Sequence, residues 1–398
     1  MFFLLISCSF RYPGKHVKSP VTNIVRKCVQ VPCRGARATH AGELGGPRRR
    51  FCNLPTLVAM LTLSVLDQSV ACAGRPQNES ISNTLALAQR CDAWGYHRFW
   101  VSEHHSHPTI VGTAPEVLMA AIAARTQRIR IGSAGVMLPH YASLKVAEQF
   151  RVLDALAPGR IDLGVGRAPG SDRRTSILLN PDPRASDNFA QAVLELQAWV
   201  GEGVSTEGMP AGHPGHGVHA YPLGTTAPTL WMLGSSDFGA RLAAQIGLPY
   251  AFAYFITDGE GTDAALSLYR QLYRPNAQHP TPHPLLCVWA LAADTEQEAR
   301  RQFQSRARMR MDRNLGRLGP LPAPEDAERD WSEPERAALI AMRHNALVGS
   351  APQVAEKLRA LAALHGVEEL AIITWTHDPA VQARSYELLA QEFQLQPA

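Results

Sequence analysis

Histidine and carboxylate side chains are concentrated in one short stretch, Glu103-His104-His105-Ser106-His107, which comes directly after the apolar run His97–Ser102. Side chains of these types bind metal ions, transfer protons or hydrogen-bond a ligand. A metal ion is disfavoured, because adjacent residues of an extended segment point to opposite faces and no other apolar run ends in an obvious ligand. The sequence therefore predicts no metal site. It leaves open whether Glu103, His104 and His105 act on a ligand or are ordinary polar residues.

Two further apolar runs carry small residues where a packed interior normally has large, branched ones. Ser133, Ala134 and Gly135 are consecutive in one run, and Gly164 and Gly166 share a face of the next. Glycine inside a strand often marks the close approach of a ligand or of another backbone. A flat ligand lying across both strands would account for these residues. Poorly packed glycines without a ligand are the alternative.

Groups that could bind an anion follow two of the runs. Arg167 comes directly after Gly166, and its guanidinium suits an anionic part of the same ligand. A later run ends in Gly234-Ser235-Ser236, which leads into a predicted helix. The first turn of a helix offers free backbone amides and partial positive charge, so this turn is a candidate anion site. The alternative is that Ser236 or Asp237 is a plain helix N-cap.

The elements that position these residues are indicated by short apolar runs alternating with longer amphipathic segments. Eight such repeats in about 340 residues predict an α/β fold of the (β/α)8, TIM-type barrel class, in which functional side chains follow the carboxyl ends of the strands. An open doubly wound sheet is the alternative, but Gly164–Gly170 lacks the GxGxxG spacing of a dinucleotide-binding turn. The predicted strands are Leu61–Leu66, His97–Ser102, Ile129–Leu138, Arg160–Val165, Thr229–Leu233, Tyr250–Phe255, Leu285–Ala292 and Glu369–Trp375.

Two connections are longer than such a barrel requires. Gly201–Pro228 is rich in Gly, Pro and His, and Gly316–Pro334 contains four prolines. The second connection follows an arginine-rich segment after the seventh strand. The alternative for that segment is a helix face exposed to solvent. Long loops at the catalytic rim of a barrel usually contact substrate or form a lid. We expect Gly316–Pro334 to be a rim insertion that orders when ligands bind.

The first 59 residues differ in composition from the rest. Residues 1–59 carry ten Lys or Arg and one acidic residue, Glu43, and four of the seven cysteines, whereas residues 60–398 have a net charge of −5. We interpret 1–59 as an extension, either an unstructured leader or the product of a start site assigned upstream of Met60, and 60–398 as the barrel domain. The negative net charge of residues 60–398 gives no electrostatic reason for a nucleic-acid or membrane partner. Three scattered cysteines indicate a reducing, cytoplasmic location.

Several of these motifs, in order along the chain, resemble the bacterial luciferase-like flavin-dependent monooxygenase family. The resemblance runs from about residue 61 to the carboxyl terminus. It is carried by Leu63–Asp67, Gly95–His105, Gly132–Pro139, Ala147–Phe150, Ala157–Asp172 and Leu233–Ser236.

The resemblance implies a barrel that binds reduced FMN, supplied by a separate NAD(P)H:flavin reductase, and reacts it with dioxygen through a flavin hydroperoxide to oxidise a small organic substrate. His104 matches the family's active-site histidine, with Glu103 and His105 beside it. Ala134-Gly135 matches a non-prolyl cis peptide against the flavin ring, beside the glycine-bearing strand of Gly164 and Gly166. Arg167 and Gly234-Ser235-Ser236 match phosphate-binding positions.

Two alternatives remain within this resemblance. The same barrel serves relatives that transfer hydride with a reduced deazaflavin, and the family also contains flavin-binding proteins without turnover. The arginine-rich segment after the seventh strand corresponds to the family's mobile lid. Neither the substrate nor a homo-oligomeric state is indicated by any motif.

Overall fold

A computed structural model describes residues 61–201 and 209–396. The predicted extension 1–59, and part of the predicted loop Gly201–Pro228, lie outside the described residues. Eight parallel strands form a closed barrel in the order β1, β2, β3 with β4, β5, β6, β7, β8 and β10, and β10 pairs with both β8 and β1. The predicted barrel is therefore confirmed. The strands are β1 Thr62–Asp67, β2 Arg98–Val101, β3 Arg130–Ser133, β4 Val136–Met137, β5 Ile161–Gly166, β6 Thr229–Gly234, β7 Tyr250–Phe252, β8 Pro284–Ala293, β9 Leu347–Ser350 and β10 Glu369–Ile373.

Helices connect the strands and cover the outside of the barrel. Three of them, α1, α6 and α11 below, end at a glycine with positive φ (Gly95, Gly247 and Gly366), a conformation that glycine adopts at little cost. No helix among the described residues is long and apolar enough to cross a membrane. The helices are α1 Gln77–Trp94, α2 Pro115–Ala123, α3 Ser143–Leu156, α4 Arg173–Leu179, α5 Phe189–Val200, α6 Asp237–Ile246, α7 Tyr254–Thr257, α8 Thr262–Leu272, α9 Glu296–Asn314, α10 Glu333–Asn345, α11 Ala351–His365 and α12 Pro379–Glu392.

The third predicted strand, Ile129–Leu138, is interrupted in the structure. Gly132 pairs with Asp162 of β5, whereas Val136 pairs with Val165, so the β3–β4 side contains one residue more than β5 between the two pairs. This is a β-bulge, a feature that is common near active sites because it redirects the strand. Alternating hydrophobicity does not show where such a residue is inserted.

The predicted insertion after the seventh barrel strand is present but more regular than expected. It comprises α9, a short 3-10 turn (Pro324–Asp326), α10 and β9, which pairs with the end of β8 outside the barrel. Within Gly316–Pro334, Leu321 is fully buried and exchanges backbone hydrogen bonds with Ala71 and Ala73, in the segment after β1. The expected free loop is thus anchored to the rim. The strand β9 was not predicted, because four residues carry too little periodicity.

The sixth barrel strand is shorter than predicted. The prediction was Tyr250–Phe255, which is three residues too long. The strand ends at Phe252, since Tyr254–Thr257 forms one helical turn that Asp258 ends in the left-handed conformation. This turn is on the same rim as the insertion.

A buried network of charged residues fills the amino-terminal end of the barrel interior. Arg98 donates hydrogen bonds to Asp162 and to Glu369, both at 2.8 Å, and Arg130 makes a second ion pair with Asp162. Trp100 donates its indole N–H to Asp162. Burial would raise the pKa of Asp162, but the charges of Arg98 and Arg130 outweigh burial and hold the pKa below its usual value. The network joins β2, β3, β5 and β10.

We expect Asp162→Asn to lower the free energy of unfolding by about 3–5 kcal/mol, because Arg130 loses its buried partner and Arg98 keeps only Glu369. Denaturant unfolding of the full chain measures this value. The control is Asp294→Asn, which removes an exposed ion pair with Arg384 and should cost about 1 kcal/mol or less. Equal losses in the two variants would contradict the assigned role of the network.

Candidate active site

Glu103 is buried just after β2, with 1% of its surface exposed. Its carboxylate accepts hydrogen bonds from the Tyr141 hydroxyl at 2.6 Å and from the backbone N–H of Met137 at 3.0 Å, and it pairs with His105 Nε2 at 2.6 Å. These contacts tie the end of β2 to the segment that follows the bulge. Both Glu103 and His105 are thereby placed in a hydrogen-bonded group beside His104.

His104 is half-buried, and its backbone N–H donates to the carbonyl of Gly112. The His107 ring lies edge-on to it, with the ring centres 5.6 Å apart. Burial, followed by the neighbouring imidazoles of His107 and His105 and the charge of Arg313, lowers the pKa of His104 to about 4. The imidazole is therefore neutral at physiological pH. In this form it can accept a proton or a hydrogen bond at one ring nitrogen.

The Ala134–Gly135 peptide is cis, as the resemblance implied. It belongs to the bulge between β3 and β4, and both residues are partly exposed. The Ser133 hydroxyl donates to the carbonyl of Gly164 at 2.8 Å and accepts from its N–H at 3.0 Å. The side chain thus replaces the strand-to-strand hydrogen bonds that the bulge interrupts.

The two glycines of β5 have different explanations. A Cβ at Gly164 would lie 2.0 Å from the Ser133 carbonyl oxygen, so glycine is required there by the protein's own backbone. The expectation that a ligand explains Gly164 was wrong in this respect, because period-2 patterning does not show the bulge packed against it. At Gly166 a Cβ would meet nothing within 4 Å. This open space lies beside the strand that carries the cis peptide.

The structure brings the two predicted anion-binding elements together. The guanidinium carbon of Arg167 lies 3.9 Å from the ring centre of Phe238, in the first turn of α6. Ser236 is the N-cap residue of α6 by position, but its side chain makes no capping hydrogen bond. Ser236 is exposed, and Gly234 and Ser235 lead to it from β6. An exposed cation therefore lies near a helix start whose amides have no side-chain cap, the arrangement that suits a phosphate.

Sequence reasoning missed Tyr141 and Phe238, and it named Ser133 only as a small residue and not as a hydrogen-bonding one. Phe238 is two residues after the Gly-Ser-Ser turn, and an aromatic residue there could have been considered as a partner for Arg167. Tyr141 and Ser133 carry no such signal, because their roles depend on contacts with Glu103 and Gly164, which are 38 and 31 residues away.

Acid should destabilise the fold in part through His104. Its pKa is about 4 in the folded chain against a reference of 6.5, so the unfolded chain binds the proton first as the pH falls. The free energy of unfolding then decreases from about pH 6.5 to about pH 4, by about 2 kcal/mol between pH 7 and pH 5. Urea unfolding at both values should show a smaller decrease for His104→Gln. His344→Gln, on an exposed position of α10, should behave as the unchanged protein, and an identical decrease in all three would contradict the assignment.

Comparisons with known proteins address the family to which the chain belongs. The model of the luciferase-like monooxygenase family matches residues 60–368. The uncharacterised protein YwcH of Bacillus subtilis is 40% identical over 340 residues, 84% of this chain and 99% of that protein. The N-acetyl-S-alkylcysteine monooxygenase of the same organism is 35% identical over 335 residues, 83% of this chain and 98% of that protein.

Solved structures give the same result. The structure of apo-MsnO8 is 34% identical and superimposes with a TM-score of 0.76 over 85% of this chain and 99% of that one. The family match covers most of the barrel, and the relatives are matched over nearly their whole length. The chain therefore belongs to the luciferase-like monooxygenase family.

Proposed function

We propose that this chain is a monooxygenase that uses reduced FMN and dioxygen to oxidise a small organic substrate. The observation that carries the proposal is the pairing of Arg167 with the uncapped start of α6, which forms an anion site at the barrel rim beside the cis peptide. A Cβ at Gly166 would meet nothing within 4 Å, so β5 leaves room for a ligand next to Arg167. The family match supports an oxidoreductase of this class.

Each residue has a distinct task in this proposal. Arg167 and the Gly234-Ser235-Ser236 turn hold the phosphate, and Ala134, Gly135 and Gly166 form the surface that carries the ring. Neutral His104 offers a ring nitrogen to the reacting side, while Glu103 and His105 position it. Reduced FMN supplies the two electrons with which one oxygen atom of dioxygen enters the substrate and the other leaves as water. A separate NAD(P)H:flavin reductase provides the reduced cofactor.

The first compound to test is an N-acetyl-S-alkylcysteine, since a relative that this chain matches over 98% of its length is named as the monooxygenase of such compounds. The assay supplies FMN, NADH and a flavin reductase, and follows oxygen uptake and product together. Substrate-dependent oxygen uptake supports the proposal. Substrate oxidation with reduced deazaflavin and without oxygen uptake would support hydride transfer, and flavin binding without any turnover would support a binding protein.

Arg167→Ala should weaken binding of FMN by about 1.5–3 kcal/mol, roughly 10- to 100-fold, and leave riboflavin binding nearly unchanged, because only FMN carries the phosphate. Flavin fluorescence titration measures both affinities. The control is Arg125→Ala, an exposed residue just after α2, near the opposite end of the barrel. Equal losses for FMN and riboflavin would place Arg167 outside the phosphate site.

His104→Ala, by contrast, should lower the rate of substrate oxidation and leave FMN affinity little changed.

The two glycines of β5 make a matched test of where the flavin lies. Gly166→Ala places a methyl group in open space, so the flavin-free protein should keep its melting temperature while FMN affinity falls about tenfold. Gly164→Ala forces Cβ against the Ser133 carbonyl and should lower the melting temperature itself. Unchanged FMN affinity in Gly166→Ala would show that the flavin does not lie against this strand.

A further inference from the structure

The helix α9 lies over the carboxyl-terminal rim of the barrel. Phe303 packs on Trp289 of β8, and Arg310 donates to the carbonyls of Phe255 and Ile256, which follow β7. Further along, Met309 packs with residues of the segment after β1. The helix thus contacts β8 and the segments that follow β7 and β1. The alternative of a fully solvated basic face does not hold for Arg306 and Arg310, because both side chains contact the barrel.

Arg306 is buried on this covering face, with 8% of its surface exposed. Its guanidinium lies 4.3 Å from the ring centre of Trp289, and among the described residues no hydrogen-bond or ion-pair partner satisfies it. Burial, followed by the charge of Arg310, lowers its pKa to about 9. Burying a cation without an ion-pair partner costs free energy, so an anionic ligand bound at Arg306 would recover part of that cost.

The surroundings of Arg306 carry excess positive charge. Arg310 and Arg313 are four and seven residues further along α9, on the same side of the helix. The Asp258 carboxylate pairs with Arg310 at 2.8 Å, and it is 61% exposed. Within the part of the chain that the structure describes, neither Arg306 nor Arg313 has an ion-pair partner. One carboxylate therefore faces three guanidinium groups.

This cluster adjoins the candidate active site. The charge of Arg313 contributes to the lowered pKa of both His104 and His107. Trp289, under Arg306, belongs to the same apolar cluster as Ala134 of the cis peptide. The proposed phosphate site is elsewhere, at the ends of β5 and β6, so the flavin phosphate does not account for the charge on α9.

We propose that Arg306, assisted by Arg313, binds the carboxylate of the organic substrate, and that the substrate is a small carboxylic acid whose apolar part lies on Trp289. That the bound carboxylate belongs to a substrate rests on the proposed function. The anion site itself rests only on the buried, unpaired guanidinium, the excess charge and the position over the barrel mouth.

The first test uses benzoate as the probe and benzamide as its neutral counterpart, at constant ionic strength. Benzoate should raise the melting temperature of the full chain and benzamide should not. Arg306→Met should abolish the benzoate effect, and Arg306→Lys should keep part of it. Arg300→Met, which removes an exposed arginine paired with Glu296 on the same helix, should keep all of it. No benzoate effect, or an equal effect in Arg306→Met, would overturn the proposal.

The ligand-free proteins provide a second readout. If Arg306 is held for a ligand, Arg306→Met removes an uncompensated buried charge and should melt at the same or a higher temperature than Arg300→Met. A lower melting temperature, or failure to fold, would assign Arg306 a structural role and overturn the proposal. For a carboxylic acid that the enzyme oxidises and for its amide, Arg306→Met should raise the KM of the acid about 10-fold or more and leave the KM of the amide unchanged.

These measurements separate this inference from the proposed function. The melting experiments need neither flavin nor turnover. Benzoate binding at Arg306 in a chain that oxidises nothing would leave the anion site standing and remove the monooxygenase assignment. Oxidation of neutral compounds alone, with Arg306→Met unaffected, would do the reverse.

Discussion

The ion pairs of Asp162 with Arg98 and Arg130 determine how the barrel can be used. They fill the amino-terminal end of the interior with charged groups that satisfy one another, and Trp100 closes over them by donating to the same carboxylate. A Cβ at Gly132 would lie 2.5 Å from the Trp100 ring, so the small residue in β3 follows from this closure. The amino-terminal end of the interior is thereby filled, and only the carboxyl-terminal end remains for a ligand.

Toward the carboxyl-terminal end, where the reaction is proposed, the barrel departs from regular geometry. The extra residue lies between β3 and β4, in the stretch that includes the Ala134–Gly135 peptide, and the Ser133 hydroxyl makes hydrogen bonds to Gly164 of β5 there. The irregular backbone is therefore supported by a side chain, and it does not loosen the sheet. Arg167 and the start of α6 form the proposed phosphate site, and α9 carries the separate guanidinium groups of Arg306, Arg310 and Arg313.

The sequence predicted the barrel, since eight apolar runs with intervening amphipathic segments have few other arrangements. It also indicated Arg167 and Gly234-Ser235-Ser236 as an anion site, because each motif has a local chemical meaning. It did not indicate that Ser133 explains Gly164, that Phe238 stacks on Arg167 or that Arg306 is buried. Those facts depend on contacts between distant segments. An arginine on a helix is usually exposed, so the periodicity of α9 gave no reason to expect a buried one.

Glu103 accepts hydrogen bonds from two segments while its neighbour His104 faces the proposed site. Met137 follows Gly135 by two residues, so the spacing between the imidazole and the cis peptide is set by a single buried carboxylate. The insertion 294–350 takes no part in the contacts of that carboxylate. In the two proposals, the reacting groups and the groups that bind the substrate carboxylate therefore belong to different stretches of chain. Selection can exchange the recognition stretch for a new one while the reacting groups stay in register, which is a route by which one barrel acquires many substrates.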